Sequence, residues 1–226
     1  MILRHRRRAT LALALSLLSG SLIAACTSGG GGSPTAGPST AASAAPSGAA
    51  TADCPKSQPE ALAAGETRTV TIETDKGTIT MSLKADLSPI AVGNFVALAS
   101  CGYYDGVVFH RLVPGFVIQG GDPTGTGTGG PGYTIADEPV TTAYHRGTIA
   151  MARTPQPNSV GSQFFIVVDD AAQPALASAN TYQIIGEVSA GMDVVDTIVA
   201  MPNSGQSSGN QALDPVPMTK VTVSTP

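Results

Sequence analysis

Two short segments of the chain place a cation and two side-chain amides among aromatic and branched apolar residues. The first, residues 109–122, contains Arg111 and Gln119. The second, residues 161–166, contains Gln163 directly before two phenylalanines. Fixed hydrogen-bond donors beside an apolar surface can orient a bound group and stabilise charge that develops on it. The two segments therefore predict a shallow apolar pocket with a hydrogen-bonding rim.

Taken alone, these polar residues have two interpretations each. The guanidinium of Arg111 stays charged and presents several fixed donors, so it could act on a bound group, or it could form a structural ion pair. A glutamine at position 119 or 163 could hold a ligand, or it could satisfy neighbouring backbone groups. The residues by themselves leave both interpretations open.

Other chemistries find little support in the sequence. The histidines, His5, His110 and His145, lack metal-ligand spacing. His110 precedes Arg111 in a strand-like run and should point to the opposite face, which favours a structural role. No Gly-x-Ser-x-Gly elbow is present, and the glycines from Gly127 onward are not followed by Lys-Ser or Lys-Thr, as a phosphate-binding loop would require. We expect neither a metal nor a cofactor.

The elements that must position these residues are mainly strands. Residues 69–74 and 78–83 alternate polar and apolar side chains around a turn that ends in Gly77, which predicts a hairpin. Helices are predicted from Ser88-Pro89 to near Gly102 and over residues 192–200. Further strands are predicted at residues 107–113, 116–119, 147–151, 163–168, 182–185 and 216–223. Many short strands with few helices indicate a sandwich or a barrel.

Residues 109–122 and 161–166 together resemble the cyclophilins, a family of peptidyl-prolyl cis-trans isomerases, and the resemblance extends from about residue 69 to residue 223. It implies a mainly β fold, a closed eight-stranded barrel capped by two α-helices, in a domain over residues 68–226. It also implies isomerisation of X–Pro bonds without a cofactor. A non-catalytic module that binds proline segments in the same groove is the principal alternative.

The resemblance also assigns roles to individual residues. It places Arg111, Phe116 and Gln119 in the catalytic set. It implies that the substrate is bound by Val117, Gly127, Ala152, Arg153, Gln163, Phe165, Leu176 and Tyr182.

Three of these residues depart from the family pattern. Val117 stands where many members have methionine, Arg153 replaces a common asparagine, and Tyr182 replaces a frequent histidine. The chain also has no tryptophan. The resemblance associates an indole with tight cyclosporin binding, so we expect sensitivity to that inhibitor to be weak.

The N-terminus is typical of a secreted protein. Arginines at residues 4–8 precede a mostly apolar stretch and two small residues, which predicts a signal peptide over residues 1–25. The run Ile23-Ala24-Ala25-Cys26 resembles the lipobox of bacterial lipoproteins, in which the cysteine is lipid-modified. We therefore predict that Cys26 anchors the protein to the extracytoplasmic face of a bacterial cell membrane. An ordinary signal peptide with an incidental cysteine is the alternative.

A tether and a pre-barrel segment are predicted over residues 26–67. Between residues 27 and 52 every residue is Gly, Ser, Pro, Thr or Ala. Such a segment buries too little apolar surface to offset its ordering entropy, so we expect it to be disordered. With Cys26 committed to lipid, Cys54 and Cys101 remain as an even pair in an oxidising compartment, which predicts one disulfide.

Charge narrows the range of partners. The formal net charge is −4, and without the four N-terminal arginines 8 basic residues stand against 16 acidic ones, or −8. This balance argues against nucleic-acid binding. We expect a monomer that acts on proline-containing segments of exported proteins and contacts the membrane through its lipid. A solute-binding lipoprotein would share the anchor but would usually need two larger lobes.

Overall fold

The computed structural model describes residues 53–225, which are mainly β, as the sequence predicts. The strands are β1 (Thr67–Thr74), β2 (Gly77–Lys84), β3 (Val108–Val113), β4 (Val117–Asp122), β5 (Thr148–Met151), β6 (Phe164–Val167), β7 (Ile184–Ala190), β8 (Gln211–Pro217) and β9 (Lys220–Ser224). The α-helices are α1 (Pro89–Ser100), α2 (Gln173–Ala179) and α3 (Met192–Val199). No helix in this part of the chain has the length and hydropathy needed to cross a bilayer.

The strands form one antiparallel sheet in the order β8-β3-β4-β6-β5-β7-β2-β1-β9. The end strands β8 and β9 are consecutive in the chain, so the curled sheet is joined at its ends by Met218 and Thr219, and no ladder pairs β8 with β9 among the described residues. Within residues 53–225 the structure therefore has nine strands in a sheet that no ladder closes, whereas the sequence predicts a closed barrel of eight strands. The predicted strand at 216–223 divides because Met218 donates to Val107 on one side, whereas Thr219 donates to Glu73 on the other.

The β1–β2 hairpin follows from alternation and from one glycine. Val70 and Ile72 pair with Met81 and Ile79, and all four are buried. Gly77 has φ +131°, and a Cβ there would lie 2.7 Å from a methyl group of Val194. The turn therefore needs glycine both for its backbone conformation and for the approach of α3.

Helix α1 begins where the sequence predicts, with Pro89 in its first turn, but its cap comes from elsewhere. The Ser88 hydroxyl makes no capping hydrogen bond and donates to Leu87 O. The carboxylate of Glu138 accepts instead from the N–H groups of Ile90 and Ala91, at 2.8 and 2.9 Å. An acidic group at a helix N-terminus is also favoured by the helix dipole.

Helix α2 is additional to the two helices that the sequence predicts, which are α1 and α3. A 3-10 turn, Asp170–Ala172, precedes α2, and the Asp169 carboxylate caps this turn by accepting a hydrogen bond from Ala171 N–H. Pro174 lies in the first turn of α2. Asn180 ends the helix in the left-handed conformation, which asparagine tolerates better than most residues. These signals and the alanine content of residues 171–179 were available in the sequence.

The central strands are buried on both faces, so the sheet carries two apolar clusters. In β6, Phe164 and Ile166 point into the main core, which α1 and α3 complete, whereas Phe165 and Val167 point into a smaller cluster on the other face. This follows from the period of two along a strand. The smaller cluster underlies the site described below.

The segment before β1 packs against α1 as far as the structure describes it. Cys54 is joined to Cys101 by a disulfide. Leu62 N–H donates to Pro89 O, and a Cβ on Gly93 of α1 would lie 2.4 Å from Glu60 O, so glycine permits this close approach. We call residues 54–66 the strap. The predicted signal peptide, Cys26 and residues 27–52 lie outside the described residues.

Candidate active site

The site is built on one face of four neighbouring strands. Across β3, β4, β6 and β5, Arg111 pairs with Gln119, Gln119 with Phe165, and Phe165 with Ala150. Residues directly opposite each other in antiparallel strands hold their side chains on the same face. One row across the sheet therefore brings together a cation, an amide and an aromatic ring from separate parts of the sequence.

Arg111 is half-buried and held in place by two hydrogen bonds. Its Nη1 donates to Gln119 Oε1 at 3.2 Å, and its Nε donates to the carbonyl oxygen of Gly209 at 3.3 Å. Burial lowers the pKa of Arg111, which the nearby Tyr182 partly offsets. An arginine side chain nevertheless stays charged in a protein. The site therefore holds a permanent, partly desolvated cation with donors to spare.

A chain of amides extends from Arg111 across the site. Gln119 Nε2 donates to Gln163 Oε1 at 2.9 Å. Gln163 Nε2 in turn donates to the carbonyl oxygens of Gly127 and Gly129, at 3.0 and 2.9 Å. The predicted residues Gln119, Gln163 and Gly127 are thus connected, and the direction of every hydrogen bond in the chain is defined.

A pocket of about 110 Å³ opens beside Arg111, and because six of its nine lining residues are apolar or aromatic we call it the apolar pocket. The ring of Phe165 packs edge-on against Tyr182, with centroids 5.3 Å apart, and the Tyr144 hydroxyl donates to Tyr182 O. Helix α2 supplies Leu176. The pocket is lined by Arg111, Phe116, Val117, Gln119, Ala152, Arg153, Phe165, Leu176 and Tyr182.

A second, wider pocket of about 390 Å³ adjoins the first and shares Gln119, Ala152 and Arg153 with it. Gly127 and Gln163 line this pocket. Every residue that the sequence assigns to catalysis or substrate binding therefore lies on one or both of the two pockets. Because the two pockets share these walls, we describe them together as one groove.

The groove can grip a small apolar ring while it donates hydrogen bonds to polar atoms beside that ring. Among residues 53–225, no group of three His, Cys, Asp or Glu side chains could hold a metal ion. The apolar pocket, the two amides and the guanidinium can bind a group and polarise it without forming a covalent bond to the substrate.

The family model for cyclophilin-type peptidyl-prolyl cis-trans isomerase/CLD matches residues 69–223, which is most of the chain. The chain belongs to the cyclophilins. Its enzyme class is therefore peptidyl-prolyl cis-trans isomerase of the cyclophilin type.

Relatives of different architecture support this assignment. Peptidyl-prolyl cis-trans isomerase A of Mycobacterium tuberculosis is 39% identical over 190 residues, covering 76% of this chain and 100% of the relative. A putative bifunctional phosphatase/peptidyl-prolyl cis-trans isomerase of Streptococcus pyogenes is 52% identical over 102 residues, covering 43% of this chain but only 22% of the relative. A cyclophilin-type isomerase of Cryptosporidium parvum, solved in the presence of the dipeptide Ala-Pro, superposes with a TM-score of 0.62 and 34% identity, covering 70% of this chain and 99% of that one.

In this cyclophilin the guanidinium of Arg153 forms an ion pair and hydrogen bonds within the wall of the groove. Its guanidinium lies 3.0 Å from the Asp137 carboxylate and donates to the carbonyl oxygens of Thr154 and Gln156, and its side chain is only 10% exposed. These contacts leave the Arg153 guanidinium few free donors. We therefore expect a substrate to contact the backbone and the aliphatic part of Arg153. The sequence carries no signal that pairs Arg153 with Asp137.

Sequence reasoning missed Asp122, a fully buried carboxylate at the end of β4. Burial would raise its pKa, but hydrogen bonds from Gly129, Thr124 and Gly127 outweigh that effect and lower the pKa of Asp122 below its usual range. A carboxylate that follows a strand and precedes alternating Thr and Gly residues was the available signal.

A β-bulge at His110 alters the expected alternation of β3. The pairing with β4 passes from Phe109 to Arg111 and omits His110. His110 is buried, and a Cβ on Gly127 would lie 3.7 Å from its Nε2, so the imidazole packs against the loop that borders the groove. A bulge redirects side chains in this way. His110 is only 2% exposed, and it lies nearer to the site than simple alternation implies.

We expect His110 to make the fold sensitive to mild acid. Burial lowers the pKa of His110, and the nearby Arg111 lowers it further, against the opposing charge of Asp122. Its stabilising contribution is therefore complete above the ordinary value of 6.5 and is lost as the pH falls from 6.5 towards the lower pKa in the folded state. Denaturant unfolding measured between pH 7.5 and 5 should show this loss, and His110→Leu should remove it.

The exposed His145 provides the control for that experiment, because His145→Gln should leave the loss of stability below pH 6.5 in place. Titration of Asp122 belongs to a separate window, below its ordinary value of 3.8. An identical pH dependence in wild-type protein and His110→Leu would refute the assignment to His110.

Proposed function

We propose that this cyclophilin isomerises X–Pro bonds in exported proteins and that lipid on Cys26 holds it at the extracytoplasmic face of a bacterial cell membrane. The observation that carries the catalytic part is the Arg111–Gln119 pair beside the apolar pocket of about 110 Å³. The Ala-Pro dipeptide named for the Cryptosporidium parvum relative supports a proline ligand for this pocket.

The reaction needs a twisted amide to be bound better than a planar one. Resonance gives the X–Pro bond a rotation barrier of about 18–20 kcal/mol, and uncatalysed isomerisation takes about 10–100 s. Twisting removes the resonance and returns the lone pair to the proline nitrogen. Binding energy that appears only in the twisted state lowers the barrier.

The residues of the groove divide this work. Phe116, Phe165 and Leu176 surround the proline ring in the apolar pocket. The Gln119 and Gln163 amides hold the backbone on either side of it. The guanidinium of Arg111 donates to the nitrogen as its lone pair develops, and partial burial strengthens that interaction because less water competes for it.

The proposed location rests on the N-terminal sequence and on the disulfide. Cys26 follows Ile23-Ala24-Ala25 and precedes a run of small residues that reaches residue 52. The disulfide between Cys54 and Cys101 is the kind of bond that persists in an oxidising, extracytoplasmic compartment. A tether of about 26 residues would span roughly 30 Å root-mean-square, enough to lift the groove clear of the bilayer surface.

The catalytic part is tested by exchange spectroscopy on a model X–Pro peptide with and without the purified protein. We expect the protein to raise the cis-trans exchange rate at substoichiometric amounts. Binding of the peptide without faster exchange would contradict the proposal and would indicate a non-catalytic module that holds proline segments.

The location is tested by Cys26→Ser. Without the thiol no lipid can be attached, so we expect the protein to leave the detergent-extractable membrane fraction while it keeps its isomerase activity. Cys54→Ser is the matched control, since it removes a cysteine but should leave the protein in the membrane fraction. Mass spectrometry that found wild-type mature protein with an unmodified N-terminus other than Cys26 would exclude lipid anchoring at this residue.

A further inference from the structure

A buried carboxylate outside the groove organises the loop that borders it. Asp122 accepts hydrogen bonds from the N–H groups of Thr124, Gly127 and Gly129, at 2.7, 2.6 and 3.0 Å. It also accepts from Thr124 Oγ1 at 2.8 Å. Hydrogen bonds to an ionised acceptor are about twice as strong as neutral ones. Asp122 therefore holds Gly127 and Gly129 firmly relative to β4.

The same two glycines face the groove through their carbonyl groups. Both accept hydrogen bonds from Gln163 Nε2. A carbonyl oxygen can only accept. If the Gln163 amide were reversed, its own oxygen would lie against two carbonyl oxygens. The two glycines therefore hold the amide in a single orientation.

The orientation of the Gln163 amide determines the orientation of Gln119 and, through it, the hydrogen bond of Arg111. Gln163 presents its side-chain oxygen to Gln119, so Gln119 must donate a hydrogen bond to it through Nε2. The other end of the same amide, Gln119 Oε1, then faces Arg111 and accepts its hydrogen bond. A reversed Gln163 would turn an NH₂ group towards Gln119. Gln119 would then have to present its own NH₂ group to a guanidinium, which accepts no hydrogen bond.

We propose that Asp122 is a positioning residue for the isomerase reaction, which sets the direction of the Gln163–Gln119 amide chain and, through it, the aim of the Arg111 guanidinium. The inference rests on the proposed role of Arg111. Asp122 itself is fully buried and acts only through Gly127, Gly129 and the two amides.

One glycine beside the carboxylate allows a direct test. A Cβ on Gly129 would lie 2.0 Å from Asp122 Oδ1, so Gly129→Ala must displace the carboxylate. Arg68→Ala, outside both pockets, is the control and should keep kcat/KM within about twofold of wild type. Asp122→Asn removes the charge at nearly constant volume. If Asp122→Asn does not fold, Gly129→Ala still carries the test, because the carboxylate remains present.

The decisive experiment is a double-mutant cycle on the purified full chain, measured as kcat/KM by peptide exchange. Gly129→Ala should lower kcat/KM about tenfold in the wild-type background, the effect of weakening one charge-assisted hydrogen bond. In a Gln119→Ala background, where the chain to Arg111 is already cut, the same substitution should cost less than about twofold. Side-chain amide spectra of Gly129→Ala should also show altered Gln163 resonances.

Equal tenfold losses in both backgrounds would overturn the proposal, since they would show that the loop acts independently of Arg111. An unchanged wild-type rate in folded Gly129→Ala would overturn it as well. A wild-type rate in Arg111→Ala would instead refute the proposed role of Arg111, so failure of the catalytic proposal is distinguished from failure of this one.

Discussion

Replacing Arg111 by alanine is expected to lower kcat by about 100- to 1000-fold while peptide affinity changes little. In the proposed mechanism the guanidinium donates to the proline nitrogen mainly when the amide is twisted, so its contribution would belong to the transition state. Removing one such donor typically costs about 2.7–4 kcal/mol. No other single substitution in the groove should separate turnover from binding so clearly.

Two further variants define the physical cause. Arg111→Lys should restore activity only in part, because a point ammonium on a flexible stem cannot reproduce two fixed bonds, one to Gln119 Oε1 and one towards the substrate. Phe116→Ala opens the apolar pocket and should weaken peptide binding as well as turnover. Steady-state exchange rates over a range of peptide concentrations give kcat and KM separately.

Arg68→Ala serves as the control, since it removes an arginine of β1 that pairs with Glu66 and lies outside both pockets. It should keep the wild-type rate. A folded Arg111→Ala protein that isomerised a model peptide as fast as wild type would return Arg111 to the structural ion-pair interpretation.

Removing the disulfide is expected to lower the free energy of unfolding by up to about 4 kcal/mol. The bond between Cys54 and Cys101 closes a segment with a sequence separation of 47, and the chain-entropy argument gives that magnitude for a loop of this length. Domains of ordinary stability unfold with about 5–15 kcal/mol, so the loss would be a large fraction of the total.

Denaturant unfolding of a Cys54→Ala, Cys101→Ala double variant measures this effect. Wild-type protein treated with reductant should fall to the value of the double variant, and the double variant should not respond to reductant. The strap lines neither pocket, so the fraction that remains folded should keep its isomerase activity. If the double variant unfolded with the same free energy as oxidised wild type, the stabilisation assigned to the disulfide would be wrong.

The sequence by itself determined the family and the mainly β fold, and the family resemblance identified every residue that lines the smaller pocket. The strands were readable because their side chains follow a period of two. In residues 69–74 and 78–83 polar and apolar side chains alternate, and the apolar residues are the ones that the hairpin buries. The same local logic placed Gly77 in a hairpin and Pro89 at the start of α1.

The tertiary structure alone decided how polar groups far apart in the sequence meet. Glu138 caps α1 from 48 residues away, Gln163 reaches the carbonyl oxygens of Gly127 and Gly129, and Asp137 holds Arg153. Such contacts depend on direction and on tenths of an ångström, and no short-range period encodes them. Burial pattern is a local property of a strand, whereas the orientation of a hydrogen bond is a property of the folded chain.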